Sequence, residues 1–174
     1  MKNRMSTKKL VMMALFVAIL SVSAYIVIPT GIASITLLNF FIMVISLVFP
    51  LWDGLIIVSV WMIMGAIGIP VFIGGKAGVG YLIGPTAGYT IAFLFVIIIS
   101  CLIRGKKYRR VWYTIVAILM ALFVNLFGMI WLKALGDLSW KQAFISGFII
   151  FIPLDMVKAV IAAQIVPVFR KLIN

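Results

Sequence analysis

Long apolar stretches, separated by short breaks rich in glycine, proline or charge, run the whole length of this chain. Within each stretch the apolar residues are continuous rather than alternating, and about 20 such residues in a helix cross the hydrocarbon core of a bilayer. Six stretches can be delimited, at 10–28, 32–48, 55–67, 89–103, 111–135 and 143–169. The pattern therefore predicts an all-α integral membrane protein with six transmembrane helices.

The composition agrees with this prediction. Of the 174 residues, 66% are hydrophobic and only 10% are charged, whereas about 25% of the residues of a soluble domain are charged. No stretch has the composition of a separate soluble domain or of a flexible linker. We therefore expect residues 1–174 to form a single six-helix membrane domain.

Positive charge is concentrated at the ends of the predicted helices. The chain has 15 lysines and arginines against three acidic residues. Most of the cations precede the first stretch, lie at 104–110 between the fourth and fifth, or follow the sixth. Basic residues flank membrane spans on the cytoplasmic side, where they also favour anionic lipid headgroups. Six spans place all three clusters on one side, so both termini are predicted to be cytoplasmic, and the clusters argue for membrane lipid rather than nucleic acid as their partner.

A glycine-rich segment interrupts the apolar pattern between the third and fourth predicted helices. Eight of the 14 glycines fall between Gly65 and Gly88. Irregular backbone exposed to lipid is forbidden by the cost of unpaired N–H and C=O groups. The segment must therefore lie at the membrane surface, on the extracellular side in this topology, or line an internal cavity. We interpret it as a wall of a ligand site, because glycine allows backbone to approach a small molecule closely; a loop that merely connects two helices is the alternative.

Two ionisable residues fall inside the sixth predicted helix. Asp155 and Lys158 are three residues apart and share one helix face. An ionisable group within a span is costly and usually functional, although such a pair can also simply neutralise itself. Pro153 is predicted to bend this helix just before the pair. Asn125 in the fifth helix is either a link between helices or a ligand contact, and Thr36 with Asn39 lies where it could reach the same cavity.

The residues needed for most catalytic sites are missing from the sequence. The chain has no histidine, no glutamate and one cysteine, so it offers no His-based catalytic site and no metal cluster. It also lacks a nucleotide-binding loop. We therefore expect no catalytic residues, no metal, no cofactor and no enzymatic activity.

Two motifs resemble the BioY family, the biotin-binding S components of energy-coupling factor (ECF) vitamin transporters. The first runs through the glycine-rich segment, from Gly68-Ile69-Pro70-Val71-Phe72 to Gly84-Pro85-Thr86-Ala87-Gly88-Tyr89. The second, Pro153-Leu154-Asp155-Met156-Val157-Lys158, matches the family's Pro-x-Asp-x-x-Lys. The resemblance covers nearly the whole chain. It implies a multi-pass subunit of the bacterial plasma membrane that captures biotin from outside for ATP-driven uptake.

The resemblance also implies partners and site residues. A transmembrane coupling protein driven by two ATPase subunits would dock on the small residues Ala14 and Ala18 of helix 1, whose spacing allows close helix approach. The expected substrate-binding residues are Asp155 and Asn125 for the ureido group, Lys158 and Lys76 for the carboxylate, and Tyr89, Tyr81 and Phe72 for the walls, with Gly75 and Thr36 as further contacts. Thr90 stands where some members have an arginine. Lipoate or a biotin precursor is therefore an alternative ligand, and a small membrane enzyme acting on lipid is the alternative from another class.

Overall fold

The computed structural model describes residues 7–29 and 34–173, which form eight α-helices and one short antiparallel β-hairpin. The predicted all-α class is confirmed, with the hairpin as an addition. Lys2, Arg4 and the predicted start of the second helix at residue 32 lie outside the described residues. The elements are α1 (Thr7–Ser23), β1 (Val27–Pro29), β2 (Ser34–Thr36), α2 (Leu38–Val48), α3 (Leu51–Ala66), α4 (Val79–Ile83), α5 (Ala87–Ile103), α6 (Arg110–Leu135), α7 (Trp140–Gly147) and α8 (Ile152–Ile173).

Within the described residues, two helical stretches are long and apolar enough to cross a membrane: α6, and residues Trp140–Ile173, which α7 and α8 form together. Three further apolar helices, α2, α3 and α5, have 10–17 residues. At 1.5 Å per residue, the 11 residues of α2 cover only about half of a hydrocarbon core of about 30 Å. Helix α2 is therefore too short to cross such a core by itself.

The core lies between α2, α5, α6 and α8, which pack against one another, while α1 and α3 pack alongside. Its largest fully buried side chains include Trp61, Tyr113 and Phe16. Many large apolar side chains point outward instead, among them Leu102 at 74% and Val111 at 72% exposure. An apolar exterior around an apolar core is the arrangement expected of a protein surrounded by lipid.

Five chain segments meet at one end of the molecule, which we call the basic end. Lys9 at the start of α1 pairs with Asp53 in α3 at 2.7 Å. Arg104, after α5, donates to the carbonyls of Leu47 and Phe49 at the end of α2. Arg170, near the end of α8, donates to the same Leu47 carbonyl at 3.0 Å. The two arginines thus satisfy carbonyls that have no partner within α2.

The glycine-rich segment covers the opposite end. Two tryptophans hold it there: the indole N–H of Trp61 donates to the carbonyl of Val71 and that of Trp131 to the carbonyl of Gly84, both at 3.1 Å. The N–H of Gly74 donates to the carbonyl of Ala24, beyond α1, at 2.9 Å. Tyr25 also donates its hydroxyl to this segment, at the carbonyl of Pro70. The segment is thus an anchored cap with a short helix, α4, within it.

The structure corrects several predicted helix boundaries. The first predicted helix, 10–28, ends at Ser23, because Val27–Pro29 forms a strand, and the third, 55–67, begins already at Leu51. The second predicted helix, 32–48, begins only at Leu38, because Ser34–Thr36 pairs with Val27–Pro29 as a strand. The sixth, 143–169, is not one continuous helix: α7 ends at Gly147, a 3₁₀ turn spans Ile149–Phe151, and α8 then begins.

The prediction that Pro153 bends a continuous sixth helix is therefore wrong. It is the second residue of α8, and N–H groups in the first turn of a helix have no intrahelical acceptor. Its missing N–H removes no helical hydrogen bond at that position. The proline helps α8 to begin and so fixes where Asp155 enters the bundle.

Candidate ligand-binding site

Asp155 is the centre of a polar cluster inside the bundle. Its side chain is 1% exposed. One carboxylate oxygen, Oδ2, accepts from the amide nitrogens of Asn125 at 3.0 Å and Asn39 at 3.3 Å. The other, Oδ1, accepts from the ammonium of Lys158 at 3.0 Å. Asp155 thereby joins α2, α6 and α8 at a single charged group.

Lys158 is held on both sides. Besides the carboxylate of Asp155, its ammonium donates to the backbone carbonyl of Thr36 in β2 at 2.8 Å. The pair is neutral as a whole, and its hydrogen bonds offset the cost of removing two charges from water. Lys158 therefore supplies the counter-charge of Asp155 and ties it to the hairpin.

The charge of Asp155 sets the orientation of Asn125. An ionised carboxylate only accepts hydrogen bonds, so the amide nitrogen must face it and the amide oxygen must face away. That oxygen, Oδ1, is buried and has no partner among the described residues. A buried acceptor without a donor costs free energy. The arrangement can receive an N–H group from a ligand.

Two buried hydroxyl groups, the phenol of Tyr81 in α4 and the hydroxyl of Thr90 in α5, lie beside each other, and neither makes a hydrogen bond of standard geometry within the described residues. Burial raises the pKa of Tyr81, so its phenol stays neutral and can act as donor or acceptor. Unpaired buried polar atoms are rare in folded proteins, so the free Oδ1 of Asn125 is the atom that indicates a place for a polar ligand.

A cavity of about 70 Å³ lies against these groups, under the glycine-rich segment. It is lined by Ser34, Thr36, Asn39, Ile73, Lys76, Tyr81, Thr86, Tyr89, Asn125 and Phe151. A second, outer cavity of about 360 Å³ shares Lys76, Tyr81 and Thr86 with it. Small-molecule sites usually have a volume of about 300–1,000 Å³, so the inner cavity alone is too small for such a ligand. The three shared side chains lie between it and the larger outer cavity.

Tyr89 forms one wall of the inner cavity. Its phenol donates to the carbonyl of Gly147 at the end of α7, at 2.6 Å, and its ring meets Phe151 edge to face, with the ring centres 5.8 Å apart. The ring fits because residue 128 is glycine: a Cβ there would lie 2.1 Å from a ring carbon of Tyr89. Gly128 thus makes room for the wall.

Tyr81 forms another wall, and Phe72 lies behind it. The two rings stack with centres 4.5 Å apart and planes 17° from parallel. Phe72 is fully buried and meets Trp61 edge to face. Of the two residues, Tyr81 lines the cavity, while Phe72 supports it from outside the lining.

Lys76 lines both the inner and the outer cavity. It is exposed, and it follows a 3₁₀ turn in which Gly75 has a φ of +76°, a conformation that favours glycine. Gly75 packs against the ring of Tyr25, where an added Cβ would lie 3.1 Å away. The close backbone approach at Gly75 is thus to a tyrosine of the protein itself, and Gly75 is not among the lining residues.

The structure therefore brings together most of the residues expected from the sequence. Thr36, Lys76, Tyr81, Tyr89 and Asn125 line the cavity. Asp155, Lys158, Phe72 and Gly75 are not among the lining residues, although Asp155 is hydrogen-bonded to Asn125 and Asn39, which are. Sequence reasoning missed the lining residues Ser34, Ile73, Thr86 and Phe151 and gave Asn39 too little weight. Their residue types are common, and nothing in the sequence distinguishes them.

Ala14 and Ala18, predicted as a docking surface, lie outside this site. Both are exposed on α1, whose buried residues are Met13, Phe16, Leu20 and Ser23. One turn of helix separates the two alanines, so they lie on the same outward face. No described segment of the chain covers that face at either alanine.

Comparison with known proteins relates the chain to one family throughout. The model of the BioY family matches residues 1–174. A probable biotin transporter BioY of Pyrococcus horikoshii is 38% identical over 162 residues, 92% of this chain and 95% of that protein. The biotin transporter BioY of Thermotoga maritima is 31% identical over 170 residues, 95% of this chain and 97% of that protein.

A solved structure has the same fold. The crystal structure of the S component for biotin from an ECF-type ABC transporter superposes with a TM-score of 0.84 at 29% sequence identity. The match covers 98% of this chain and 95% of that one. The helical arrangement described above is therefore that of an S component.

Proposed function

This chain belongs to the BioY family, and we propose that it is the biotin-binding S component of an ECF-type ABC importer. It is a membrane transport subunit and not an enzyme. The observation that carries the proposed specificity is the buried carboxylate of Asp155, which holds Asn125 so that its Oδ1 remains without a partner. The alternative of a lipid-modifying enzyme is not retained.

The ureido group of biotin suits this acceptor. It offers two N–H donors and one carbonyl in a rigid ring, so one N–H can donate to Oδ1 of Asn125. Asn39 is held by the same carboxylate and lines the same cavity. Asp155 is in this proposal a positioning residue: it sets both amides without touching the ligand. The phenol of Tyr81, which lines the cavity, is a further partner for the polar parts of the ligand.

The carboxylate of biotin needs a cation, and Lys76 is the better candidate. Lys158 already serves Asp155 and the Thr36 carbonyl within 3.0 Å, so recruiting it would leave the buried Asp155 without its counter-charge. Lys76 lines the inner cavity, is exposed, and has no ion pair with any described residue. We therefore propose Lys76 for the carboxylate and Lys158 for neutralising Asp155.

Biotin would enter from the side of the glycine-rich segment. The inner cavity, at about 70 Å³, is smaller than usual ligand sites. Moving Lys76 and Tyr81 would join it to the outer cavity of about 360 Å³. The apolar thiophane ring and tail would then lie between Tyr89 and Tyr81, with Phe72 behind Tyr81.

We further propose that residues 1–174 form one membrane domain with six crossings and with both termini in the cytoplasm. Helices α7 and α8 would make one crossing, and α2 would complete its crossing with the hairpin before it. The convergence of Lys9, Arg104 and Arg170 at the basic end supports this topology, because basic residues favour the cytoplasmic side. The glycine-rich segment would face the medium.

The proposed partners are a transmembrane coupling protein and two ATPase subunits. The S component described by the matching crystal structure comes from an ECF-type ABC transporter. The outward face of α1 with Ala14 and Ala18 is the surface proposed for the coupling protein, since small side chains let another helix approach closely.

A ligand panel tests the proposed specificity. Purified protein is titrated with biotin, desthiobiotin and lipoate. Desthiobiotin keeps the ureido group but lacks the thiophane sulfur, whereas lipoate keeps a sulfur ring, an alkyl tail and the carboxylate but has no ureido group. Desthiobiotin should bind with an affinity near that of biotin, and lipoate should bind at least tenfold more weakly, about the effect of one lost hydrogen bond to a buried group. Equal binding of lipoate would refute recognition through Asn125.

A further inference from the structure

A separate cavity, of about 690 Å³, opens at the basic end, at the opposite end of the bundle from the inner and outer cavities of the ligand site. Its polar lining includes Lys9, Asp53, Arg104, Lys106 and Arg170. Biotin capture makes no use of these residues.

The cavity holds more positive charge than the protein neutralises. Four of its lining residues are cations and one is an acid, and that acid, Asp53, is engaged by Lys9 at 2.7 Å. Three cations therefore remain without a counter-charge among the described residues that line the cavity.

Among the described residues, the side-chain hydrogen bonds of the two arginines go to neutral groups and not to a carboxylate. Arg104 donates to the carbonyls of Leu47 and Phe49. Arg170 donates to the carbonyls of Lys106 and Leu47 and to the phenol of Tyr113. Each guanidinium has five N–H donors in a planar fork that matches the geometry of phosphate. Their hydrogen bonds fix both groups in place and leave their charge uncompensated.

Arg104 is also strongly buried, with 8% of its surface exposed. Burial lowers the pKa of this guanidinium, and the neighbouring charge of Arg170 acts in the same direction, although an arginine stays charged in proteins. A buried charge without a counter-ion is costly. An anion in the cavity would offset that cost.

The apolar part of the lining indicates what kind of anion this is. Val48, Leu102 and Ile173 line the same cavity as the cations, and Leu102 is 74% exposed on the outer face of the bundle. A small inorganic anion gains nothing from such a wall, whereas the acyl chains of a lipid do. Basic pockets between helices on the cytoplasmic side of a membrane protein suit anionic lipid headgroups.

We propose that this cavity binds the phosphate of an anionic phospholipid, with Arg104, Arg170 and Lys106 around the phosphate and the acyl chains along Leu102. The bound lipid would bridge the α5–α6 loop and the end of α8. It would thereby brace the basic end independently of whether biotin occupies the other cavity.

The experiment uses the purified full chain in a non-ionic detergent at constant ionic strength. Three probes are titrated while thermal unfolding is followed: dioctanoyl-phosphatidylglycerol, dioctanoyl-phosphatidylcholine and inorganic phosphate. A ligand that binds the folded state raises the melting temperature with concentration. The phosphatidylglycerol should do so at concentrations where the other two have no effect. Equal shifts with phosphatidylcholine would refute a charge-specific site, and equal shifts with inorganic phosphate would refute the lipid assignment.

Variants locate the effect. Lys106→Gln should lower the affinity for phosphatidylglycerol about fivefold, since one cation near an anionic surface contributes about that factor. Lys107→Gln, the matched control one residue along, does not line the cavity and should leave the affinity unchanged. Asp53→Asn should tighten binding, because it removes the only acid of the lining. Equal effects of Lys106→Gln and Lys107→Gln would overturn the proposal.

Arg170→Gln should lower the affinity for phosphatidylglycerol about tenfold or more, because charge-assisted hydrogen bonds to its phosphate are lost. Because Arg170 also holds the loop, biotin binding serves as the check on folding: it should be unchanged in every variant of this series. If Arg170→Gln does not fold, the comparison of Lys106→Gln with Lys107→Gln decides by itself.

Discussion

The amide nitrogen of Asn125 lies 3.0 Å from the carboxylate of Asp155, and this contact turns the amide oxygen of Asn125 toward the cavity. Thirty residues separate the two along the chain, so the contact exists only because α6 packs against α8. In the proposed binding mode, Asp155 does not touch the ligand but sets which atom of Asn125 faces it.

Removing the amide of Asn125 should weaken biotin binding. In Asn125→Leu the buried acceptor for the ureido N–H is lost, which corresponds to about tenfold to a hundredfold in affinity. Asp155 keeps Asn39 and Lys158 as partners, so the fold should survive. Titration calorimetry measures the affinity, and size-exclusion chromatography checks the fold.

Gln164→Leu is the matched control for Asn125→Leu. It also removes a partly buried amide from a helix, but its partner is the hydroxyl of Thr114 and it does not line the cavity. Its affinity for biotin should equal that of the parent protein. Similar losses in both variants would mean that any polar deletion in the bundle harms binding, and Asn125 would lose its assigned role.

The two candidate lysines can be separated with biotin amide, which lacks the negative charge of biotin. The parent protein should prefer biotin over the amide by about tenfold, as expected for a charge-assisted contact. Lys76→Met should abolish that preference while binding of the amide changes little. In Lys158→Met both ligands should bind more weakly, because Asp155 loses its counter-charge, but the preference should persist. A preference lost in Lys158→Met and kept in Lys76→Met would reverse the assignment.

Large residues on the outward face of α1 should block assembly with the coupling protein. Ala14→Trp with Ala18→Trp should prevent close helix approach and so abolish ATP-driven biotin uptake and co-purification with the coupling protein. Biotin binding by the isolated protein should be unaffected, because both alanines are exposed and outside the site. The control is Leu119→Trp, which adds a large side chain at an exposed position of α6. Assembly of the double variant at parental levels would exclude this face.

Accessibility in intact cells tests the topology. In a Cys101→Ala background, Lys141→Cys should react with a membrane-impermeant maleimide from outside. Lys107→Cys, placed at the basic end, should react only after lysis. Both positions are exposed, so a difference in labelling reports the side of the membrane. The opposite pattern, or equal labelling of both, would contradict cytoplasmic termini.

Local patterns in the sequence were enough to predict the helical class and to identify the charged residues inside the bundle. Continuous apolar runs mark helices because backbone in hydrocarbon must satisfy its own hydrogen bonds. The predicted fifth helix, 111–135, differs from α6, Arg110–Leu135, by one residue. Asp155 and Lys158 could be selected because charge is rare in such runs and their spacing of three places them on one helix face.

The hairpin and the hydrogen bonds around Asp155 depend on contacts between distant parts of the chain, which a local pattern cannot predict. Ser34–Thr36 is a strand because Val27–Pro29 pairs with it, and apolar residues at that point are compatible with a helix as well. The donors to Asp155 come from 116 residues away at Asn39 and 30 residues away at Asn125. No local pattern encodes such distances, so the sequence could single out Asp155 but could not show that it binds the amides of Asn39 and Asn125. Likewise, it displayed a surplus of positive charge, and only the packing of α2, α5 and α8 gathered part of that charge around one cavity.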